Sequence, residues 1–295
     1  MNISFEYYRI FYYVAKYENI TKAAMLLKSS QPNVTRIIHL LEDQLDCRLF
    51  LREPRGLKLT EEGKRLYDHV AIACQHLLDA EAELCWNKNI CSGTIELGVT
   101  ETALHLFLLK HLHGFQQKYS DIKIRIQNNT TPGILKALLN GRLDLAIVTT
   151  PFELNDTFAC EDLMTFREVP AGGSEYRALA GHPMSLKEFR FHSIIGLGYG
   201  TASYEYYRKV FMEQKLDYEP AMEVATADLV IPLLQNNLGV GFIPEPLAAP
   251  FFEDQSLVPL SLNVPLPSRD VKMLWDKSLS QSRAAATFCD YLRSL

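Results

Sequence analysis

The sequence predicts an α/β chain in three parts: a small helical module ending in a hairpin, one long helix, and a two-lobed body of strands and helices. Three observations predict it. Residues 21–63 hold a short alanine-rich helix, a Ser30-Gln31-Pro32 break, a second helix and an arginine-bearing hairpin. Residues 61–86 contain no proline, and no glycine beyond Gly63. From residue 93 onward, short apolar runs alternate with segments of helical spacing, which is the pattern of parallel sheets covered by helices.

Bulk properties bound the answer. A chain of 295 residues fits two or three compact units. Hydrophobic residues at 47% and charged residues at 22% describe an ordinary soluble globular protein. No apolar run is long enough to span a bilayer, and the N-terminus lacks a charged segment followed by a greasy core. A cytoplasmic protein without a membrane partner is expected. The six cysteines (Cys47, Cys74, Cys85, Cys91, Cys160, Cys289) form no Cys-x-x-Cys pair and no zinc spacing, so reduced structural thiols are expected and no metal. No feature favours a redox role for Cys160. Net charge is −5, yet residues 21–60 carry seven cations and four anions, a local +3 on an acidic chain. Such a patch suits local docking onto phosphates without indiscriminate sticking.

The module is built in order. Phe5, Tyr8, Tyr12 and Ala15 recur at helical spacing. Asn19-Ile20-Thr21 ends that helix, and Thr21 is expected to cap the next, over residues 22–28, with Ala23, Ala24 and Leu27 inward. Ser30 caps a third helix whose first turn holds Gln31 and Pro32, where proline's missing N–H costs nothing. Val34, Ile38, Leu41 and Leu45 make its buried stripe. The opposite side presents Asn33, Thr35, Arg36 and His39, residue types that read base edges in a groove. Alone, such a face is as readily a solvated helix surface. The capped helix before it and the hairpin after it, over residues 49–59 with Arg52 and Arg55 at a Pro54-Arg55-Gly56 tip, make it a winged helix-turn-helix addressed to double-stranded DNA.

The run Phe11, Asn19-Ile20-Thr21-Lys22-Ala23-Ala24, Leu27, Ser30-Gln31-Pro32, Val34-Thr35-Arg36, Leu41-Glu42, Leu45, Leu49-Phe50, Arg52, Arg55 and Leu59-Thr60-Glu61-Glu62-Gly63 resembles the LysR-type transcriptional regulators. The likeness covers nearly every defining position of the first sixty-odd residues. Asp46 departs from it, replacing the glycine usual after that leucine, a change that bears on the turn into the hairpin and removes no DNA contact. The resemblance implies DNA-facing roles for Thr21, Gln31, Pro32, Asn33, Thr35, Arg36, Arg52 and Arg55; the cap Ser30 and the helix-face His39 join them as candidates. It also implies a carboxy-terminal effector-binding domain, RNA polymerase as a partner, and dimers that associate into a tetramer.

Leu66, Val70, Ala73, Leu77, Ala80 and Leu84 alternate steps of four and three, a heptad seam for pairing with another helix. Spacing alone also allows an amphipathic helix lying on its own domain. A small module needs two half-sites for adequate affinity, which favours pairing, and the resemblance implies that the pairing is antiparallel. Residues 87–93 read as a hinge.

In the body, residues 94–99, 122–128 and 143–148 read as strands, with helices over 104–118 and 134–140. A second set follows: strands at 194–197, 221–224 and 240–243, helices near 204–214 and 229–236, then a returning strand at 272–275 and helix at 284–292. The whole resembles the periplasmic-binding-protein-like effector domain of that family, with Gly141-Arg142-Leu143-Asp144-Leu145-Ala146 and Leu238-Gly239-Val240-Gly241-Phe242-Ile243-Pro244 as its recurring phrases. The expected division is a DNA-binding domain over 1–60, linker helix and hinge over 61–92, and an effector domain over 93–295. Within the last, lobe I takes 93–166 and 265–295 and lobe II takes 167–264, with crossovers near Phe166 and Val264.

Ligands of open parallel sheets gather at the carboxyl ends of the strands. Those ends supply Thr100, Glu101, Thr102, Thr130, Thr131, Thr149, Gly198, Tyr199, Thr201 and Thr226. Each threonine singly is an ordinary helix cap; together they favour a small polar effector and no cofactor. Family effectors are often carboxylates, which Glu101 would repel unless it points away or is neutralised. The effector's charge therefore stays open, with cationic or amphoteric compounds included. An enzyme is the rival class, but Gly-x-Ser-x-Gly, His-Glu-x-x-His and phosphate-loop patterns are all missing, and Gly196-Leu197-Gly198-Tyr199-Gly200 lacks dinucleotide spacing. His111 and His113 stand two apart on a helix and diverge by about 200°, too far to share a metal. A stand-alone solute-binding protein fits the cleft but leaves the first ninety residues without a purpose.

Overall fold

The computed structural model describes residues 3–53, 56–85 and 93–295, and the chain divides into two compact units, Met1–Lys88 and Asn89–Leu295. In the first, helices α1 (Phe5–Tyr17), α2 (Ile20–Leu26) and α3 (Gln31–Leu45) precede a hairpin of β1 (Phe50–Glu53) and β2 (Gly56–Leu59), and α4 (Glu61–Cys85) follows. Ile10, Phe11 and Val14 of α1 meet Val34, Ile38 and Leu41 of α3 in one core, so burial follows the helical period. Phe5, expected on that face, is exposed instead: the stripe through Ile10, Phe11 and Val14 carries the apolar side and Phe5 lies beyond its edge.

Two local expectations need correction. Helix α2 starts two residues early because Asn19, not Thr21, caps it, its side chain accepting from the Lys22 N–H at 2.9 Å. Asparagine is at least as good a cap as threonine, and Thr21 falls exposed in the first turn. Asp46 does not reshape the turn into the hairpin. It takes the left-handed conformation (φ 52°, ψ 37°) that a glycine would, closing α3 with the Cys47 N–H donating to the Glu42 carbonyl at 3.2 Å. A left-handed non-glycine residue carries a backbone cost, so Asp46→Gly should raise the stability of this unit by about 0.5–1 kcal/mol in thermal unfolding.

The seam of α4 divides. Leu66, Val70 and Cys74 pack into the unit's own core, whereas Ala73 and Leu77 are exposed, with Leu78 beside them. Thus the first part of the helix belongs to its own module. The side chains of Ala80 and Leu84, the 87–93 hinge apart from Gly93, and the hairpin tip with Arg55 lie outside what is described.

The second unit holds two five-stranded sheets. In lobe I, β3 (Gly93–Val99), β4 (Ile122–Asn128), β5 (Leu145–Thr149), β6 (Phe158–Phe166) and β12 (Arg269–Asp276) run in the order β4-β3-β5-β12-β6. Strands β3, β4 and β5 are parallel, and β12 is antiparallel to both neighbours. Its helices are α5 (Glu101–Ala103), which continues through a π-helical turn (Leu104–Leu108) into α6 (Leu109–Lys118), then α7 (Thr131–Leu139) and α12 (Arg283–Arg293). One face of the sheet buries Leu97, Phe115 and Phe288, with the two phenyl rings edge-on at 4.7 Å; the other buries Ile134, Leu138 and Val148.

Lobe II orders its strands β11-β7-β10-β8-β9: β7 (Glu168–Gly172), β8 (Ile194–Leu197), β9 (Met222–Val224), β10 (Val240–Pro244) and β11 (Val258–Pro259). Helices α8 (Leu186–Phe189), α9 (Ala202–Glu213), α10 (Val230–Gln235) and α11 (Glu245–Glu253) cover it. An aromatic cluster of Phe189, Tyr207, Phe211, Tyr218 and Phe242 fills one side. The chain passes from lobe I to lobe II at Arg167, between β6 and β7, and returns between β11 and β12. The parallel pairing expected of the strand-helix-strand units holds for β3, β4 and β5 and for β8, β9 and β10, while β6, β7 and β11, which the pattern did not predict, and the returning β12 add antiparallel pairs.

Candidate nucleic-acid interface and ligand cleft

The third helix begins where Ser30 adopts an extended conformation and its hydroxyl accepts from the Asn33 N–H at 3.4 Å, with Pro32 in the first turn. Gln31, Pro32, Thr35, Arg36 and His39, with Leu40 and Asp43, line one shallow depression on the outer side of α3. Gln31, Pro32, Arg36 and His39 are exposed. Four candidates have partners within the helix: Asn33, Thr35, Arg36, and His39, whose Nδ1 lies 3.4 Å from Glu42. Asn33 donates to Ser29 Oγ at 3.0 Å and accepts from Arg36 at 3.2 Å, and the Thr35 hydroxyl donates to the Gln31 carbonyl at 3.0 Å. Arg52 lies in β1, paired with Leu57 of β2.

Behind this face stands Glu42, which composition alone counts as one more surface anion. It is buried and accepts from Arg48 at 2.7 Å and from the Leu49 and Phe50 N–H groups at 2.8 and 3.3 Å. Burial pushes its carboxyl up, but those donors outweigh burial and hold it below its ordinary value. The side chain thereby fixes where the hairpin leaves α3. Its sequence signals are its place three residues before the helix end and its part in the Leu41-Glu42 step of the family-like run, neither of which shows that it is buried.

The strand ends of the two lobes converge on a cleft of about 320 Å³ lined by Thr100, Glu101, Thr102, Thr130, Thr131, Thr149, Thr201 and Thr226. Two of these are helix caps: Thr130 Oγ1 accepts from the Gly133 N–H and Thr201 Oγ1 from the Tyr204 N–H. Thr100 and Thr226 also precede helical turns but make no side-chain cap bond, and Thr100 Oγ1 is buried without a partner. Glu101 is engaged on both oxygens, with His105 Nε2 at 2.7 Å and the Asn128 amide donating at 2.5 Å. Gly198 and Tyr199, expected here, are not among the lining. Tyr199 is 81% exposed and sets its ring edge-on to Tyr204, because the left-handed Gly200 turns the chain outward before α9. Asn128, Asn129 and Ser203 line the cleft and were missed; Asn128 ends β4, so a strand-end rule applied to every strand would find it.

Beneath the cleft floor lies an ion pair that sequence reasoning also missed. Arg269 and Glu168 are both almost wholly buried, with Arg269 Nη1 donating to Glu168 Oε1 at 2.5 Å. The guanidinium also donates to Ser203 Oγ at 3.1 Å, Thr149 Oγ1 at 3.3 Å and the Thr150 carbonyl at 2.7 Å. Glu168 opens β7 and Arg269 opens β12, so the pair ties the two lobes together at their crossovers. Burial pushes the Glu168 carboxyl up, against the pull of Arg269 and the nearby Tyr207 hydroxyl.

Among the described residues no group of His, Cys, Asp or Glu is placed to hold a metal ion, and no helix is long and apolar enough to cross a membrane. Cys47, Cys74, Cys160 and Cys289 are free thiols, and burial pushes each up, Cys289 to about 11.

A helix-turn-helix with a hairpin, followed by a two-lobed α/β unit with a cleft, defines a ligand-responsive DNA-binding regulator. Residues 5–64 match the bacterial regulatory helix-turn-helix protein, lysR family, and residues 91–295 match the LysR substrate binding domain, so the chain belongs to the LysR family of transcriptional regulators. Among curated relatives, the HTH-type transcriptional regulator YofA of Bacillus velezensis is 25% identical over 97% of this chain and 96% of its own. BudR of Raoultella terrigena, also an HTH-type transcriptional regulator, is 33% identical over 61% of this chain and 60% of its own. Full-length OxyR from Pseudomonas aeruginosa shares the fold at a TM-score of 0.70 and 18% identity, covering 99% of this chain and 98% of that one. Full-length AphB from Vibrio cholerae does so at 0.59 and 18%, covering 99% of both chains.

Proposed function

We propose that α3 enters the DNA major groove with Gln31, Arg36 and His39 toward base edges, while Arg52 and Arg55 of the hairpin engage the phosphate backbone. The observation that carries this reading is the exposure of those helix side chains together on the first turns of α3, the end that helix-turn-helix modules insert. Ser30 and Pro32 serve by setting the helix start, and Thr21 approaches the backbone from α2. Asn33 and Thr35, engaged within the helix, orient their neighbours. The exposed Leu77 and Leu78 of α4 give a second copy of the chain its pairing surface, and dimers pair again to span two sites. RNA polymerase is the downstream partner of this cytoplasmic, non-enzymatic regulator.

The effector occupies the interlobe cleft, held by the threonines, Glu101 and the asparagines that line it. It alters the lobe angle by binding one arrangement more tightly than the other, and hence the preference among DNA sites. A gel shift against sheared chromosomal DNA tests the assignment of the first unit: retardation is expected from the full chain and not from a chain truncated before residue 93. On a site selected from the retarded fragments, Arg36→Ala should weaken binding by about 1–3 kcal/mol and relax base preference. Arg52→Ala should lower affinity for every sequence and flatten the salt dependence. Unchanged preference in Arg36→Ala defeats the placement of α3.

A further inference from the structure

The cleft continues into a second cavity of about 370 Å³, within the size range of small-molecule sites (roughly 300–1,000 Å³). The two share Glu101, Thr102, Leu197, Ser203 and Ala227. Its walls are of a different character. Val230 and Ile231 of α10, Phe242 of β10, and Leu247 and Phe251 of α11 make it largely apolar. Its charged lining is acidic, with Glu101, Glu168 and Asp228, and no lysine or arginine lines either cavity. The His105 ring is engaged with Glu101, and the Arg269 guanidinium is spent on Glu168, Ser203, Thr149 and Thr150.

One buried atom beside this cavity keeps spare acceptor capacity. Glu168 Oε1 receives Arg269, but Oε2 is buried and completes no hydrogen bond, although the Tyr207 hydroxyl also faces the carboxylate. A buried carboxylate oxygen faced only by a tyrosine hydroxyl keeps spare acceptor capacity, and in low dielectric an N–H or O–H brought by a ligand satisfies it. A carboxylate ligand brings another acceptor into a lining with few donors and meets the acidic side chains of Glu101 and Asp228, with no lysine or arginine in the lining to offset them. A hydrocarbon leaves Oε2 as it is.

We propose that the effector is an organic amine, with its protonated nitrogen donating to Glu168 Oε2 and its hydrocarbon or aromatic body filling the cavity between α10 and α11. This deepens the reading of the cleft as the effector site and rests on it. Acidic groups at the lining attract the cation, and the apolar walls select its body. Because Arg269 holds Glu168 on one side and the cleft hydroxyls Thr149 and Ser203 on the other, the bound nitrogen meets the pair that joins the lobes.

The test uses the full chain and three probes of similar skeleton: 2-phenylethylamine, 3-phenylpropionate and 2-phenylethanol. The amine is expected to raise the melting temperature with a saturable concentration dependence, the alcohol to bind at least tenfold more weakly, and the carboxylate to give no shift. Ile231→Trp, which fills the cavity while leaving the ion pair intact, should weaken the amine at least tenfold. Glu168→Gln should do the same, but it also loosens Arg269, so the tryptophan variant decides. A carboxylate shift equal to the amine's, an amine shift unchanged in Ile231→Trp, or no amine shift at all overturns the proposal. Retardation of DNA, measured alongside, separates the two readings. Amine binding that is lost in Ile231→Trp but never alters retardation supports the ligand class and removes the regulatory role of the cleft. A carboxylate that binds and alters retardation supports the regulatory cleft and overturns the amine.

Discussion

Arg269→Met is expected to destabilise the ligand-binding unit by about 3–5 kcal/mol, because it strands Glu168 as a buried charge without its counter-ion. In a unit of this size that corresponds to a melting temperature lower by about 6–20 °C. The loss exceeds that of an exposed pair such as Arg208 with Glu205, where water already solvates both groups. Three further donations vanish with the guanidinium, leaving Thr149, Ser203 and the Thr150 carbonyl to find other partners. Two controls separate charge from packing. Glu168→Leu combined with Arg269→Met removes both charges and should recover most of the stability, since a buried pair is rarely more stable than apolar side chains of similar volume. The single variant's deficit should also shrink as the pH falls, because burial favours the neutral form of Glu168 and protonation relieves the stranded charge. Differential scanning calorimetry of the single and double variants measures all of this. A double variant no better than the single one sinks the electrostatic account.

Glu42→Ala is the second large effect, expected at about 2–4 kcal/mol and confined to the amino-terminal unit. The alanine removes the acceptor for the Leu49 and Phe50 N–H groups and for Arg48, and Leu49 is itself buried. Because Leu49 is buried, its N–H then bears the desolvation cost unmatched. The start of β1 then loses its tether to α3, and general DNA affinity should fall with stability even though no proposed DNA-facing residue has changed. The pH dependence follows from the sign of the shift. Glu42 is held below its ordinary 4.5, so its contribution is fully present above that value and is lost as the pH falls through the folded-state pKa. Glu42→Gln, which keeps one acceptor, should lose less stability at neutral pH and show no such acid-dependent loss. Hydrogen exchange at the Leu49 amide reports the site directly; exchange unchanged in Glu42→Ala would exclude this tether.

The legible parts of the fold were those written in short periods. Val34, Ile38 and Leu41 recur at helical spacing and are buried, β5 and β8 are apolar runs bounded by turns, and β3 alternates Ile95, Leu97 and Val99 with polar or small residues. The threonines that line the cleft were legible for a related reason, since each follows a strand or opens a helix, and topology gathers strand ends. Strand β6 was not legible. Its Glu161 and Asp162 interrupt any apolar run, and they are tolerated because β6 is an edge strand where they stay open to water, with Arg293 of α12 and Lys272 of β12 beside them. The cap of α2 was misread because Asn19 and Thr21 are both competent, and a local rule cannot choose between them.

By itself, then, the order of residues determined the helices, most strands, the helix-turn-helix face and the α/β class, because each depends on neighbours within a few positions. Only the tertiary structure decided that Glu168 meets Arg269 across 101 residues, that Glu42 holds the hairpin, and that an apolar, acidic cavity opens beside the polar cleft. Hydrophobic periodicity says which face of an element is covered. Which distant atom completes a buried charge's hydrogen bonds depends on how the lobes pack, and that information belongs to no local stretch of the chain.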